Sequence, residues 1–292
     1  MWRYFFFCFI FSVNGQLIEN QSGQAFTNVP FFNTNTVSQL KIQSIEGFYT
    51  YKSAETTFKP SLDWFRYRFN EKGQLIEQLE VLQNGKIKDS TLHQFAYHSN
   101  GLLAAHRYPA YGGAISEHYS YDSLSRLISI SYFRDQFKEN LLNNPTAALM
   151  RKETLIYNQD NAADYTQYNQ YNLPFMDVSC LFNQDGYLLE KEQYFRMNQQ
   201  SQKEIFLYNE KGLLMEKSIR FNQQVSPAET WTYRYDQWGN LLEILHSKNK
   251  QALHELQIIY DYKTGYLGSI IHKDPISNQL KILRFTKYTS FQ

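Results

Sequence analysis

The sequence predicts an all-β protein: a long antiparallel meander of about eight repeated β-hairpins, curved into a trough, a partial barrel or a shell-like sheet. First, 17% of the 292 residues are aromatic, mostly 23 Tyr and 22 Phe, and these side chains pack well on pleated strands. Second, one pattern of alternating aromatics and a turn recurs along most of the chain. Third, a single hairpin is marginal in water, so each must bury its aromatic face against a neighbour, and so many strands twist and curl.

The repeated pattern is clearest at residues 231–241, which read WTYRYDQWGNL. Trp231, Tyr233 and Tyr235 alternate with polar residues, as expected of a strand with one buried face, and a second strand begins at Leu241. Eight copies align on their second aromatic residue, at Phe69, Tyr97, Tyr121, Tyr157, Phe182, Tyr208, Tyr235 and Tyr260. Successive copies are 24–28 residues apart except for one step of 36, which predicts an insertion around 134–152.

The turn of each copy has a physical explanation. Asp236 opens a type I turn because its side chain can accept backbone N–H groups further along, and Gly239 closes the hairpin in a left-handed conformation with a bulge. In the third copy Ser125 stands at the glycine position. In the fourth it is Asn161, the residue that best tolerates this conformation after glycine. The eighth copy, from Asp261, has one extra turn residue.

The N-terminal segment predicts export. A short basic start, an apolar run over residues 4–13 and small residues after it are typical of a secretory signal peptide over 1–15. The run is too short to span a bilayer as a helix, which needs roughly 20 residues, so we expect no membrane span in the mature chain. Residues 16–37 are polar and Asn-rich and predict an arm that is ordered only if it docks on the sheet. Residues 38–292 are predicted to form a single repeat domain.

The two ends of the repeat domain and its cysteine give further expectations. Residues 40–53 predict two strands broken near Glu46 and Gly47. The last strand, residues 280–288, carries basic residues such as Lys281, and charge on a terminal strand discourages edge-to-edge pairing. Without residues 1–15, Cys180 is the only cysteine, which excludes an internal disulfide and favours a buried core thiol.

The pattern Tyr-x-Tyr-Asp-x-x-Gly-x-Leu, seen at residues 233–241, resembles the YD repeat of RHS-type proteins. The likeness covers roughly residues 64–270 and identifies a repeat class, not an activity. It implies β-hairpins that wind into hollow shells, as in secreted bacterial toxins and in cell-surface proteins that bind carbohydrate or protein. Large members add a self-cleaving segment and a toxic tip. Only about twenty-five residues follow the last repeat here, and we expect a short relative without a tip.

The sequence contains no Gly-rich phosphate loop, Gly-x-Ser-x-Gly elbow or HExxH motif. Glu190, Glu192 and Glu216 are interpreted as cross-strand ion-pair partners rather than as a glycosidase dyad. The histidines lack metal-ligand spacing and are interpreted as exposed strand or turn residues. They are His93, His98, His106 and His118 in the second and third copies, and the isolated His246, His254 and His272. We therefore predict no catalytic, cofactor-binding or metal-binding residue and no enzymatic activity.

The net charge and the exposed-aromatic candidates limit the classes of partner that the protein is expected to bind. With 29 Lys+Arg against 28 Asp+Glu the net charge is +1, which argues against nucleic acid as the main partner. Trp238 in a turn and Trp64 before the first copy can stack on sugars if they are exposed. The leading hypothesis is an exported, non-enzymatic binding or structural protein of the periplasm, cell surface or extracellular space. Its expected ligand is carbohydrate or an envelope or secreted protein.

Two alternatives remain open from the sequence. One is a polysaccharide hydrolase with carboxylates on a concave sheet face. The other is an accessory or remnant of an RHS-type toxin system, which would hold a partner polypeptide inside a curved sheet.

Overall fold

The computed structural model describes residues 16–53, 57–84, 87–137, 141–142, 147–159, 163–222, 224 and 226–292. The signal peptide predicted for residues 1–15 lies outside the described residues. No helix in these ranges is long and apolar enough to cross a membrane. The helix is α1 Thr34–Gln39, and the strands are β1 Ile42–Lys52, β2 Lys59–Phe69, β3 Leu75–Asn84, β4 Ile87–Tyr97, β5 Leu103–Ala110, β6 Gly113–Tyr121, β7 Leu127–Asp135, β8 Ala148–Tyr157, β9 Tyr165–Tyr168, β10 Pro174–Phe182, β11 Leu188–Phe195, β12 Gln200–Tyr208, β13 Leu214–Phe221, β14 Glu229–Tyr235, β15 Leu241–Lys248, β16 Gln251–Tyr260, β17 Leu267–Lys273 and β18 Leu280–Ser290.

The eighteen strands form one closed antiparallel ring. Each strand from β2 to β17 pairs with the strands before and after it in the sequence. The first strand, β1, pairs with both β2 and β18. The antiparallel meander is thus confirmed, but the sheet closes into a barrel instead of stopping at a trough or a partial barrel. Closure leaves none of the described strands at an edge, because β18 satisfies the backbone groups that β1 would otherwise expose.

The seam between β1 and β18 corrects two expectations. Residues 42–52 form one strand and not two, because the break near Glu46 and Gly47 is only a register irregularity against β18. Gly47 is required there, since a Cβ would collide with the Arg284 carbonyl oxygen. The last strand is not an edge, so its charges do not repel a second chain. Lys281 instead forms an ion pair with Glu80, with Nζ 3.1 Å from the carboxylate.

The hairpin turn of the clearest copy matches the prediction. The Gly239 N–H donates to the Asp236 carbonyl at 3.1 Å, and the Asp236 N–H donates to the Asn240 carbonyl at 3.0 Å. Gly239 has a φ of 92°, and the strand register shifts just before the turn, as in a bulged hairpin. In the third copy Ser125 takes the glycine position with a φ of 63°.

The fourth copy departs from the predicted turn. The Asn158 N–H donates to the carbonyl of Asp164, so the loop is longer than in the other copies, and Asn161 lies outside the described residues. A further turn of the same chemistry was missed by the sequence alignment. It joins β9 to β10, where the Asn172 N–H donates to the Asn169 carbonyl at 3.0 Å and Asn172 has a φ of 57°.

The polar arm, residues 16–37, lies inside the ring. The rings of Phe31 and Phe32 contact Tyr67 of β2, at centroid distances of 6.1 and 5.0 Å. The Asn20 side-chain amide donates to the Tyr235 hydroxyl of β14 at 3.1 Å. Around the ring, β2 and β14 are separated by β1 and the strands from β18 back to β15 in one direction, and by more strands in the other. A segment as short as the arm can contact both strands only by crossing the interior of the ring. The face that the arm contacts is therefore the inner face.

The arm and α1 fill the end of the barrel that carries the predicted turns, which we call the turn end. A Cβ at Gly73 would lie 2.7 Å from the Ser38 backbone nitrogen, and one at Gly239 would collide with the side chain of Gln16. The Ser38 hydroxyl donates to the Glu71 carbonyl at 3.0 Å. These contacts place the arm and α1 against the tips of hairpins that are distant in sequence.

Alternation along β2 and β14 puts aromatic rings inward and charges outward. Tyr233 is 2% exposed, whereas its neighbour Arg234 forms an ion pair with Glu243 at 2.7 Å. On β2 and β3 the outward pair is Arg66 and Glu77, at 2.8 Å. The inner face thus forms an aromatic core around the arm, and the outer face forms cross-strand ion pairs.

Candidate functional site

A groove at the turn end lies between two neighbouring hairpin turns, one joining β14 to β15 and the other β16 to β17. Its volume is about 320 Å³, and its walls include Trp238 from the first turn and Tyr262 from the second. The hairpin repeat brings these two side chains to one groove although they lie 24 residues apart in the sequence. We call this site the rim groove.

Two of the aromatic side chains that line the rim groove are exposed to solvent, and a third, Tyr260, is half-buried. Trp238 is 61% exposed and Tyr262 is 89% exposed. The backbone under Trp238 is fixed, because Oδ1 of Asp236 accepts the N–H of Trp238 at 2.9 Å and that of Asn240 at 2.8 Å. Aromatic side chains of this size normally bury 150–250 Å² of surface in a core. Two exposed rings on ordered turns therefore form a surface on which a ligand can stack.

Asp261 gives the rim groove a fixed negative charge. Its Oδ1 accepts the N–H groups of Lys263 and Thr264 and the Thr264 hydroxyl, all at 2.9–3.0 Å. These hydrogen bonds, led by the one from the Thr264 N–H, hold the pKa of the Asp261 carboxyl below its ordinary value. The carboxylate therefore stays ionised at neutral pH, where it accepts hydrogen bonds and does not donate a proton.

The floor of the rim groove comes from the arm and α1. The helix is capped by Asn33, whose side-chain oxygen accepts the Thr36 N–H at 3.1 Å. Leu17 and Leu40 contribute apolar surface, and Gln39 contributes an amide. Rings, a carboxylate and an amide thus surround one open groove, a combination that suits a ligand with apolar faces and many hydroxyl groups.

The two tryptophans that the sequence suggested as sugar-stacking residues lie in different places. Trp238 lies in the rim groove, whereas Trp64 is half-buried on the outer face of β2, opposite Phe48 and Val81 on the flanking strands. Tyr262 was missed by the sequence prediction. The signal for it was the extra residue of the eighth turn, which adds an aromatic next to Asp261.

Of the three glutamates of the sequence prediction, Glu190 and Glu192 lie on β11 and Glu216 lies on β13. Glu190 forms an ion pair with Lys203 of β12. Glu192 stands opposite the same lysine in the register, and Glu216 stands opposite Thr232 of β14. Cys180 is half-buried and not fully buried, and this burial raises the pKa of its thiol, which keeps it protonated.

The interpretation of the histidines of the second copy as exposed was wrong for His93 and His106. They are only 8% and 7% exposed, with Nδ1 of His93 2.9 Å from Nε2 of His106. The His106 ring stacks on Phe95 at 4.6 Å, and burial lowers the pKa of His106 to about 4. The available signal was strand parity, since His93 alternates in phase with the inward Phe95. His98 is exposed in its turn, as predicted.

His246, His254 and His272 are not isolated, which corrects the second part of that interpretation. They come from the consecutive strands β15, β16 and β17 and line one cavity inside the barrel. The rings of His246 and His254 lie 6.0 Å apart. Within the described ranges, no group of three or more His, Cys, Asp or Glu side chains is arranged to hold a metal ion.

No protein-family model matches this chain, and no curated protein matches it. Among solved structures it is similar to a porin-like protein from Bacteroides uniformis, at 11% identity and a TM-score of 0.39, over 85% of this chain and 98% of that chain. A porin-like protein from Bacteroides vulgatus gives 12% identity and a TM-score of 0.28, over 84% of this chain and 97% of that chain. The Photorhabdus luminescens Tc holotoxin pore gives 13% identity and a TM-score of 0.34, over 77% of this chain and 12% of that chain. All three TM-scores lie below 0.5.

Proposed function

We propose that this chain is an exported, non-enzymatic carbohydrate-binding protein and that the rim groove is its saccharide site. The observation that carries the proposal is the exposed pair Trp238 and Tyr262 beside the carboxylate of Asp261. One face of a sugar ring presents C–H groups that stack on an aromatic ring, while its hydroxyls bond to carboxylate and amide groups.

The size of the rim groove limits the bound segment. Its volume of about 320 Å³ is at the lower end of the range for small-molecule sites, roughly 300–1,000 Å³. The groove therefore suits one or two sugar units, either free or as part of a longer polysaccharide that continues across the open rim.

The state of the carboxylates favours binding without cleavage. A glycosidase needs a carboxylic acid with a raised pKa to protonate the leaving group, and a second carboxylate opposite it. The pKa of Asp261 is lowered instead. Both oxygens of Asp236 are engaged by groups of its own turn, with Oδ2 accepting the Asn240 side-chain amide at 2.8 Å. Both side chains therefore serve to hold their turns.

Export is supported by the short basic start and the apolar run over residues 4–13. N-terminal sequencing of the protein from a cell-envelope or culture-medium fraction should find a start near residue 16. Recovery of the intact chain from the cytoplasm alone would contradict export without bearing on the saccharide site.

The saccharide site is tested with a glycan array on the mature protein, followed by calorimetric titration of the best glycan. We expect Trp238→Ala and Tyr262→Ala each to weaken binding by about 2- to 12-fold, as for the loss of about 0.5–1.5 kcal/mol of ring stacking. The matched control is Leu124→Ala, because Leu124 is 70% exposed at the equivalent turn position of the third copy. The proposal fails if no glycan binds, or if both ring variants bind it as tightly as the control.

A further inference from the structure

A larger cavity lies inside the barrel, between the arm and the inner face of the strands that include β14 to β18. Its volume is about 610 Å³, and none of its lining residues lines the rim groove. We call it the inner cavity.

The walls of the inner cavity are largely apolar. Phe26 of the arm, Ile244 of β15 and Leu256 of β16 all contribute to its lining. The His246 ring covers one face of the Trp231 ring, lying parallel to it at 4.3 Å with an interplanar angle of 4°, and the Lys217 Nζ lies 5.9 Å from the centroid of the Trp231 ring. The cavity therefore offers packing surface for an aliphatic or flat apolar body.

The polar groups of the inner cavity include the imidazoles of three histidines. His254 and His272 both line it, and their ring nitrogens make no hydrogen bond to any residue in the described part of the chain. Burial lowers the pKa of His272 to about 4, with a further contribution from Lys281. The neutral imidazole of His272 has one N–H donor and one acceptor nitrogen to offer to a ligand, and the imidazole of His254 has at least one N–H donor.

The charged residues at the inner cavity already have partners. Lys281 pairs with Glu80 at 3.1 Å, and Lys273 pairs with Glu255 at 3.4 Å. The carboxylate of Asp274 accepts the N–H groups and the hydroxyl of its own turn. At the neighbouring end, Glu229 contacts both His246 and Lys248 at 3.1 Å. An ionised ligand would lose its hydration without gaining an unpaired counter-charge, which is unfavourable.

We propose that the inner cavity binds a neutral amphipathic small molecule. Its apolar body packs between Phe26 and Leu256, and its hydroxyl or carbonyl head forms hydrogen bonds with the imidazoles of His254 and His272. The volume fits within the range of small-molecule sites. Because the arm forms one wall, the bound molecule also holds the arm in place.

The test uses calorimetric titration of the mature protein with four probes of related length: 1-octanol, 1-decanol, decanoate and decyltrimethylammonium. We expect one 1-decanol per chain, bound about 15-fold more tightly than 1-octanol, since each buried CH₂ contributes about fourfold. Decanoate and decyltrimethylammonium should bind at least 10-fold more weakly than 1-decanol. Equal or tighter binding of either ion, or no binding of 1-decanol, overturns the proposal.

Two further measurements locate the site. His254→Phe should weaken 1-decanol binding about fivefold, while His98→Phe, in an exposed turn, should leave it unchanged. In the wild-type protein, the imidazole NMR signals of His254 and His272 should shift on addition of 1-decanol and that of His98 should not. Absence of these shifts overturns the assignment even if the variant fails to fold. Trp238→Ala should bind 1-decanol normally, which separates this result from the saccharide test.

Discussion

Gly73 and Gly186 occupy the same position of two hairpin turns but have different surroundings. Both have a left-handed backbone, with φ of 77° and 84°. A Cβ at Gly73 would collide with the Thr34 carbonyl oxygen of α1, whereas a Cβ at Gly186 would have nothing within 4 Å. Replacement by alanine therefore imposes the same backbone strain on both turns, but only Gly73→Ala pushes against α1.

The expected magnitudes differ accordingly. An alanine in the left-handed region costs roughly 1–2 kcal/mol, which is the whole effect expected for Gly186→Ala. Gly73→Ala adds the cost of overpacking, typically about 1–3 kcal/mol, so the total is about 2–5 kcal/mol. The Ser38 nitrogen, 2.7 Å from the added Cβ, must move away by 0.7 Å to reach ordinary van der Waals contact at 3.4 Å. Part of this shift must be taken up by the arm.

Urea unfolding followed by tryptophan fluorescence measures the free energy of unfolding of both variants, and limited proteolysis measures protection of the arm. We expect a larger loss of stability for Gly73→Ala, together with faster cleavage within residues 16–37. Gly186→Ala should keep the wild-type cleavage rate. Equal losses of stability with equal cleavage rates would refute the packing of α1 against this turn.

Three further variants test an inward-facing histidine, a buried ion pair and the repeat turn. His106 is neutral in the fold because burial lowers its pKa to about 4, below the ordinary 6.5, so its stabilising effect is complete above about pH 6.5 and is lost as the pH falls toward 4. The urea midpoint should drop over that range, and less so in His106→Phe. Arg107→Met should cost about 3–5 kcal/mol by urea unfolding, because it leaves the Asp135 carboxylate buried without its partner 2.8 Å away. Asp236→Asn should change the melting temperature by less than about 2 °C, since an amide oxygen accepts the same backbone N–H groups.

A specific result would contradict each of these three predictions. If the urea midpoint of His106→Phe fell with pH as much as that of the wild type, groups other than His106 would be responsible for the loss of stability in acid. If Arg107→Met combined with Asp135→Leu were no more stable than Arg107→Met alone, the uncompensated buried charge would not explain the loss. A large loss of stability in Asp236→Asn would mean that the negative charge, and not the hydrogen-bond acceptor, holds the turn.

Local chemistry made the hairpins predictable. The carboxylate of Asp236 and the left-handed Gly239 act on groups within four residues, so the turn can be inferred without knowledge of distant strands. The same reasoning gave the inward direction of Tyr233, since side chains alternate strictly along a strand. It failed at the fourth copy, where the closing hydrogen bond from Asn158 reaches Asp164.

The sites were only partly predictable for the same reason. Trp238 could be recognised as a sugar-binding candidate because its turn position predicts exposure. Its partner Tyr262 lies on the neighbouring hairpin turn, which joins β16 to β17. Trp238 and Tyr262 are close only because β15 pairs with β16. The imidazoles of His246, His254 and His272 likewise meet only because β15, β16 and β17 are adjacent and in register.

The sequence alone thus determined the repeating hairpin, its turn residues and its aromatic face. The tertiary structure decided that the sheet closes and that the arm occupies its interior. Closure pairs Ile42 with Ser290, and it depends on the twist accumulated over eighteen strands, which no local pattern encodes. The two sites follow from that closure, because the inner cavity and the floor of the rim groove exist only once the arm and α1 lie inside a closed ring.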